Sequence, residues 1–172
     1  TRSDFVTAAN RLANFHKTQN QLNVKVVPVH LIYEEFSSGK QDISAIRNFI
    51  RYVYTNATDP NRRVKFVNLF GDASYDYLDR VENNSNVVPV FQSIGAGNVA
   101  SPAGDTFNFN DWSCFMTDDF YGLMDPDEGK IESQLYSGID IAVGRIPVST
   151  NEQAGLSIDK IIQYHDKANA GR

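Results

Sequence analysis

The 172 residues contain one cysteine, Cys114, so no internal disulfide can form and cysteine usage says nothing of the redox compartment. Clustered positive charge is scarce too. Sixteen Lys and Arg stand against 21 Asp and Glu, the formal charge is -5 and the pI is about 5.1; nucleic-acid binding, which needs cations gathered to neutralise phosphates, is not expected. The nearest thing to a basic patch, Arg62-Arg63-Val64-Lys65, reads as the solvated entry to a strand. No apolar run approaches the roughly 20 residues that span a bilayer. The opening Thr1-Arg2-Ser3-Asp4 lacks the apolar core of a signal peptide. Internal repeats and linkers are missing, so the chain reads as one domain over residues 1–172. It begins and ends inside helical patterns, and a piece of a longer protein is expected.

What the chain does have is enough apolar material for one sizeable core, 41% of residues being hydrophobic. Phe5, Ala8, Ala9, Leu12 and Phe15 recur at helical spacing and predict an amphipathic helix over 4–19, capped by Ser3 or Asp4. The β-rich stretch 24–33 predicts a strand, with Pro28 at an edge, a bulge or its true start, and 34–39 a loop. Asp42 caps a second helix whose stripe is Ile43, Ile46, Ile50, Val53 and Tyr54, ending near Asn56 ahead of Asp59-Pro60. Residues 64–70 predict a strand with a loop at 71–76 at its carboxyl end, followed by a polar turn over 79–86 and a short extended piece over 87–91. Residues 93–111, rich in Gly, Asn and Ser, predict a long surface loop.

The stretch Ile139-Asp-Ile-Ala-Val-Gly-Arg-Ile-Pro-Val148 organises the rest. It is β-branched, short and bounded by Gly and Pro, which predicts a buried strand. Ser149-x-x-Glu152 behind it has the spacing of a helix capping box. Strand, charged corner and capped helix in succession are the grammar of an α/β fold. The expected architecture is three-layer α/β/α with a mainly parallel sheet of about four or five strands.

Three constellations bear on chemistry. Cys114 would need a base in hydrogen-bond reach to act as a nucleophile; at the start of an apolar run it reads more simply as a small buried thiol. His30 and His165 read as partly buried structural histidines, and His16 as solvent-facing or a helix-end partner. Asp118, Asp119, Asp125 and Asp127, with Glu128, crowd enough hard oxygens for calcium, which takes six to eight of them. The order Asp125-Pro-Asp-Glu-Gly129 nevertheless fails as an EF-hand loop and also fits a solvated turn. Thirdly, if strands 24–33, 64–70 and 139–144 are parallel neighbours, Glu34, Asp72, Asp76 and Arg145 emerge at one sheet edge, where α/β proteins hold ligands; the expected ion-pair network there reads first as scaffolding between loops at a subdomain boundary and second as substrate contact.

Four segments taken in order, Ile32-Tyr-Glu-Glu-Phe-Ser-Ser-Gly39, Phe70-Gly-Asp-Ala-Ser-Tyr-Asp-Tyr77, Thr117-Asp-Asp-Phe-Tyr-Gly122 and Asp140-Ile-Ala-Val-Gly-Arg-Ile-Pro147, resemble the gingipain family of cysteine peptidases, and its sortase-type members most. The resemblance implies a caspase-like catalytic domain of two side-by-side α/β subdomains, of which this chain is the first. It places the catalytic His, in a His-Gly step, and the nucleophilic Cys in the second subdomain, beyond Arg172. His16-Lys17, His30-Leu31 and His165-Asp166 all lack that step. By the same resemblance the parent protein lies at the cell surface or outer membrane, or is secreted, and cleaves the carboxy-terminal secretion domain from type IX cargo. Sortase-type members also transfer that cargo to a lipopolysaccharide anchor. This chain would then be inactive alone, need no cofactor with calcium as the one candidate, and have as partners the catalytic subdomain and, through it, protein substrates. Two readings compete: a stand-alone receiver-like or divalent-cation-binding α/β module, with Glu34-Glu35 and Asp72 or Asp76 as its acids, and a purely structural surface domain.

Overall fold

A computed structural model describes residues 1–92, 116–128 and 138–165; the predicted loop 93–111 and Cys114 lie outside them. The chain forms two compact units built from interleaved segments. One comprises Thr1–Gln41, Asn68–Pro89 and Arg145–Arg172, the other Asp42–Val67 and Val90–Gly144. The elements are α1 (Val6–Gln19), α2 (Val29–Phe36), α3 (Ile43–Thr55), β1 (Phe66–Phe70), β2 (Phe91–Gln92), β3 (Met116–Thr117), β4 (Ala142–Ile146) and α4 (Asn151–His165). Among the described residues β1 pairs with β4 and β2 with β3. Lys65 bonds to Ala142, Gly71 to Ile146 and Asp72 to Val148, each through main-chain N–H and C=O groups, so partners ascend together and the β1–β4 ladder is parallel. The α/β class with a parallel sheet therefore stands, but the described sheet has two strands rather than four or five.

In the first unit, a 3-10 turn over Ser3–Phe5 leads into α1, whose Ala9, Leu12 and Ala13 are buried at helical spacing. Phe5 is fully buried and meets the Phe70 ring edge-on at 6.2 Å. α4 packs beside α1 with Ala154 and Ile158 inward, and Arg11 bonds Asp159 across the exposed seam.

The predicted strand 24–33 is the main correction. Extended backbone stops at Pro28, and Val29 opens α2. Proline holds its predecessor out of the helical region, while Val29, Ile32 and Tyr33 fall on one buried face with Phe36 half-buried behind them, a helical spacing that outweighs the β-branched composition. The Val29 amide donates to the Thr1 carbonyl at 2.7 Å, satisfying an N–H that the helix start leaves without a partner.

In the second unit the Asp42 carboxylate accepts the Ser44 N–H at 2.7 Å and caps α3 as the sequence predicts. Ala45, Ile46, Arg47 and Ile50 are buried, whereas Val53 is exposed, so the inward stripe holds an arginine and sheds its last valine. Arg47 donates to the Leu123 carbonyl at 2.8 Å and the Asp125 carbonyl at 3.4 Å, and its neighbour Arg51 to the Met124 carbonyl at 3.0 Å. Burial, with Arg51 nearby, pulls the Arg47 guanidinium below its ordinary pKa. These bonds hold the end of a 3-10 helix (Asp119–Gly122) whose Phe120 stacks on Phe91 at 4.5 Å. β2 and β3 run antiparallel beside it, with Phe91 opposite Thr117.

Gly122 marks a close approach in this unit. A Cβ there would sit 2.9 Å from the Ile141 carbonyl oxygen and 2.5 Å from an Ile139 methyl carbon. Gly122→Ala is expected to destabilise the protein by about 1–3 kcal/mol, since backbone cannot retreat as a side chain can. Urea denaturation measures this, and an unchanged midpoint would contradict the described packing.

Candidate functional site

The carboxyl end of β1 carries the densest polar constellation in the first unit, and it begins with a glycine. Gly71 has φ +143, outside the range that side chains favour, and a Cβ on it would meet Val87 Cγ1 at 2.3 Å and Val87 Cβ at 2.8 Å. The returning segment of the loop at Val87 thus lies directly against Gly71. Asp72 follows and joins three stretches of chain. Its N–H donates to the Val148 carbonyl at 2.9 Å, and its own carbonyl accepts the Val87 and Val88 N–H groups at 2.9 and 3.0 Å. Its carboxylate accepts the Ser85 hydroxyl at 2.7 Å, the Ser149 hydroxyl at 3.1 Å and the Ala73 N–H at 2.9 Å.

Asp76 is buried. One carboxylate oxygen accepts the N–H groups of Arg80 and Val81, both at 2.6 Å, closing the turn that follows. Asn86 accepts the Ser74 N–H at 3.3 Å across the mouth of the same loop. Half-buried Arg145 donates to the carbonyl oxygens of Gly71 at 2.9 Å, Val88 at 2.7 Å and Pro89 at 3.3 Å. A guanidinium with donors in a fixed fork suits converging carbonyls, which a lysine would serve less well.

Asp72 and Arg145 act at the carboxyl end of β1 and Asp76 closes the turn that follows; these bonds go to main-chain groups and hydroxyls, and among the described residues no ion pair joins the three to one another. Glu34 is not among them. It is exposed on α2, because the segment read as a strand is a helix. That change also removes the paired acids after a first strand that a receiver requires. Ser85 and Ser149 were missed. The Ser149-x-x-Glu152 spacing predicts the helix cap at Ser149, yet the cap lies one residue on: Thr150 Oγ1 accepts the Gln153 N–H at 3.2 Å, and Gln153 Oε1 accepts the Ser149 N–H at 2.9 Å, which frees the Ser149 hydroxyl for Asp72.

The acids proposed for calcium are dispersed over separate backbone devices in the second unit. The Asp118 carbonyl accepts the Tyr121 N–H, Asp119 donates its N–H to Thr117 Oγ1, Asp125 and Glu128 close a turn on each other, and Asp127 is exposed. Among the described residues no three His, Cys, Asp or Glu side chains form a group that could hold a metal ion. The histidines stand apart as well: His30 Nδ1 is 2.9 Å from Ser3 Oγ, His16 Nδ1 is 2.9 Å from Asn20 Oδ1, and His165 lies edge-on to Phe15.

The charged corner of this α/β unit thus holds its own loops. The comparisons name the family: the model of peptidase family C25, the gingipain family of cysteine peptidases, matches residues 1–172, and the chain belongs to it. A solved structure, that of dimeric latent PorU from Porphyromonas gingivalis, is similar at 26% sequence identity and a TM-score of 0.75, over 99% of this chain and 15% of that chain. This chain thus spans about 15% of the length of that relative. No curated protein matches it.

Removing the carboxylate at position 72 tests the frame. Asp72→Ala is expected to cost about 2–4 kcal/mol, having left two hydroxyls and an N–H without their charged acceptor, and Asp72→Asn less, since one acceptor oxygen survives. Denaturant midpoints at neutral pH report this; equal stability of all three proteins would show that the serines do not depend on Asp72.

Proposed function

We propose that this chain is the first, supporting subdomain of a gingipain-like cysteine endopeptidase of the sortase type. Its role is to carry and orient a second subdomain of the same protein, which holds the catalytic His and Cys. The parent protein, at the cell surface or outer membrane or secreted, removes the carboxy-terminal secretion domain from type IX cargo and transfers the cargo to a lipopolysaccharide anchor. The observation that carries this reading is the use made of the charged corner. A nucleophile or general base must keep a lone pair for its substrate, whereas Asp72 and Asp76 accept bonds from their own chain and Arg145 braces carbonyls. The family match over residues 1–172, together with three histidines none of which precedes glycine, supports placing the chemistry elsewhere in the protein.

The test uses the full-length protein. Cys114→Ala is expected to leave thiol-dependent peptide cleavage within about twofold in kcat/KM, while alkylation of the unmodified protein's thiols abolishes it. Loss of cleavage in a Cys114→Ala protein with unchanged melting temperature would put the nucleophile in this chain and end the proposal.

A further inference from the structure

The loop that the Asp72 frame supports displays apolar side chains it does not bury. Tyr75 is 65% exposed, Tyr77 62%, Leu78 51% and Val81 50%, four large residues within seven positions. Ordinary loops place polar residues at such sites, and scattered apolar ones need no explanation; a run of four on one loop does. Nor is the loop loosely held. The buried Asp76 carboxylate takes two N–H groups at 2.6 Å from inside it, and Gln41 Nε2 donates to the Tyr77 carbonyl at 3.1 Å. Asp79 and Asn83 hold φ of +55 and +61, a left-handed backbone that Asp and Asn tolerate better than most residues but still at a cost. A buried carboxylate and two strained residues are therefore committed to fixing a surface that contributes little to the core.

Rigid tyrosines suit recognition because they offer large amphipathic area with few rotatable bonds to freeze on binding. The position suits it too, since the loop leaves the carboxyl end of a parallel strand, where α/β folds take their ligands. Charge narrows the partner. Asp79 and Glu82 are exposed on either side of Arg80, and the whole chain is at -5. The loop's own surface thus favours a segment in which cationic side chains flank an apolar one.

We propose that residues 73–82 form a docking loop for an extended segment of the protein substrate, one that carries an apolar or aromatic side chain beside basic ones. The proposal rests on the peptidase reading given above for the identity of the bound molecule. Tyr75 and Tyr77 supply the apolar contact, and Asp79 and Glu82 the charge preference.

The test is binding to the full-length protein with its thiols alkylated, so that probes are held and not cut. The probes are fluorescent Gly/Ser peptides carrying Lys-Phe-Lys, Glu-Phe-Glu or Lys-Ser-Lys at their centre. The Lys-Phe-Lys peptide is expected to bind with a Kd about tenfold below the other two, the scale of one tyrosine-centred contact. Tyr75→Ser with Tyr77→Ser should erase that advantage, leaving the melting temperature unchanged because both side chains are exposed. Asp79→Asn with Glu82→Gln, which keeps a residue tolerant of the left-handed turn, should abolish the discrimination against Glu-Phe-Glu and keep that against Lys-Ser-Lys. Equal affinity for the three peptides overturns the proposal, as does an unaltered preference in the tyrosine variant. Self-association that the tyrosine variant abolishes overturns it as well, by making a second copy the occupant. Peptidase activity of the unalkylated protein is scored separately: its absence counts against the parent reading, and its presence without the peptide preference counts against the docking loop alone.

Discussion

The first unit depends on one carboxylate. Asp72 meets Ser149 across 77 residues of sequence and Ser85 across 13, so a single side chain closes both the loop after β1 and the junction between β4 and α4. Its main chain adds the last rung of the parallel ladder and two bonds to the returning segment at Val87 and Val88. Gly71 lets the two segments come that close, and Arg145 braces their carbonyls from β4. The frame holds charge without ion pairing among these three residues. Charge-assisted bonds to N–H, hydroxyl and carbonyl groups are about twice as strong as neutral ones and fix direction better than an exposed ion pair, whose net worth is about 0–1 kcal/mol.

The second unit solves a comparable problem from the other sign. Arg47 and Arg51 project from α3 onto the carbonyls of Leu123, Met124 and Asp125, groups that the end of a 3-10 helix leaves without intrahelical donors. Asp140 complements them by accepting the Met124 N–H at 2.7 Å. In both units charged side chains thus serve irregular backbone, which is where buried N–H and C=O groups lack a regular partner.

How much of this the sequence showed follows from what each signal encodes. α1 and α3 were legible because apolar residues recur over three or more turns, and the Asp42 cap because capping is local. α2 was hidden: eight residues give only two turns, and Val29, Ile32 and Tyr33 count equally as β-formers, so Pro28 reads as an edge, a bulge or a strand's start and not as the boundary of a helix. Glu34 was misplaced as a direct result. Asp72, Asp76 and Arg145 were legible as a group, since each stands at or just beyond a strand's carboxyl end. Their partners were not, because carbonyl directions and the pairing of Ser85 with Ser149 through Asp72 are products of the closed fold and leave no spacing in the chain. Arg47 in a buried stripe was invisible for the same reason.

The parallel ladder has a further consequence for how the chain acquires its structure. Helices α1, α2 and α3 close their main-chain hydrogen bonds within single turns, while the β1–β4 rungs and the Asp72–Ser149 bond join residues more than 70 apart. Contacts of that separation form late, because a long loop must be closed before they repay its entropy. The strength of the Asp72–Ser149 bond, a contact of that late-forming kind, therefore acts on the unfolding rate. On a ribosome the constraint is stricter: the Asp72–Ser149 bond cannot form until Ser149 has emerged, and until then the tyrosine-bearing loop has its local bonds to Asp72 and Asp76 without that brace.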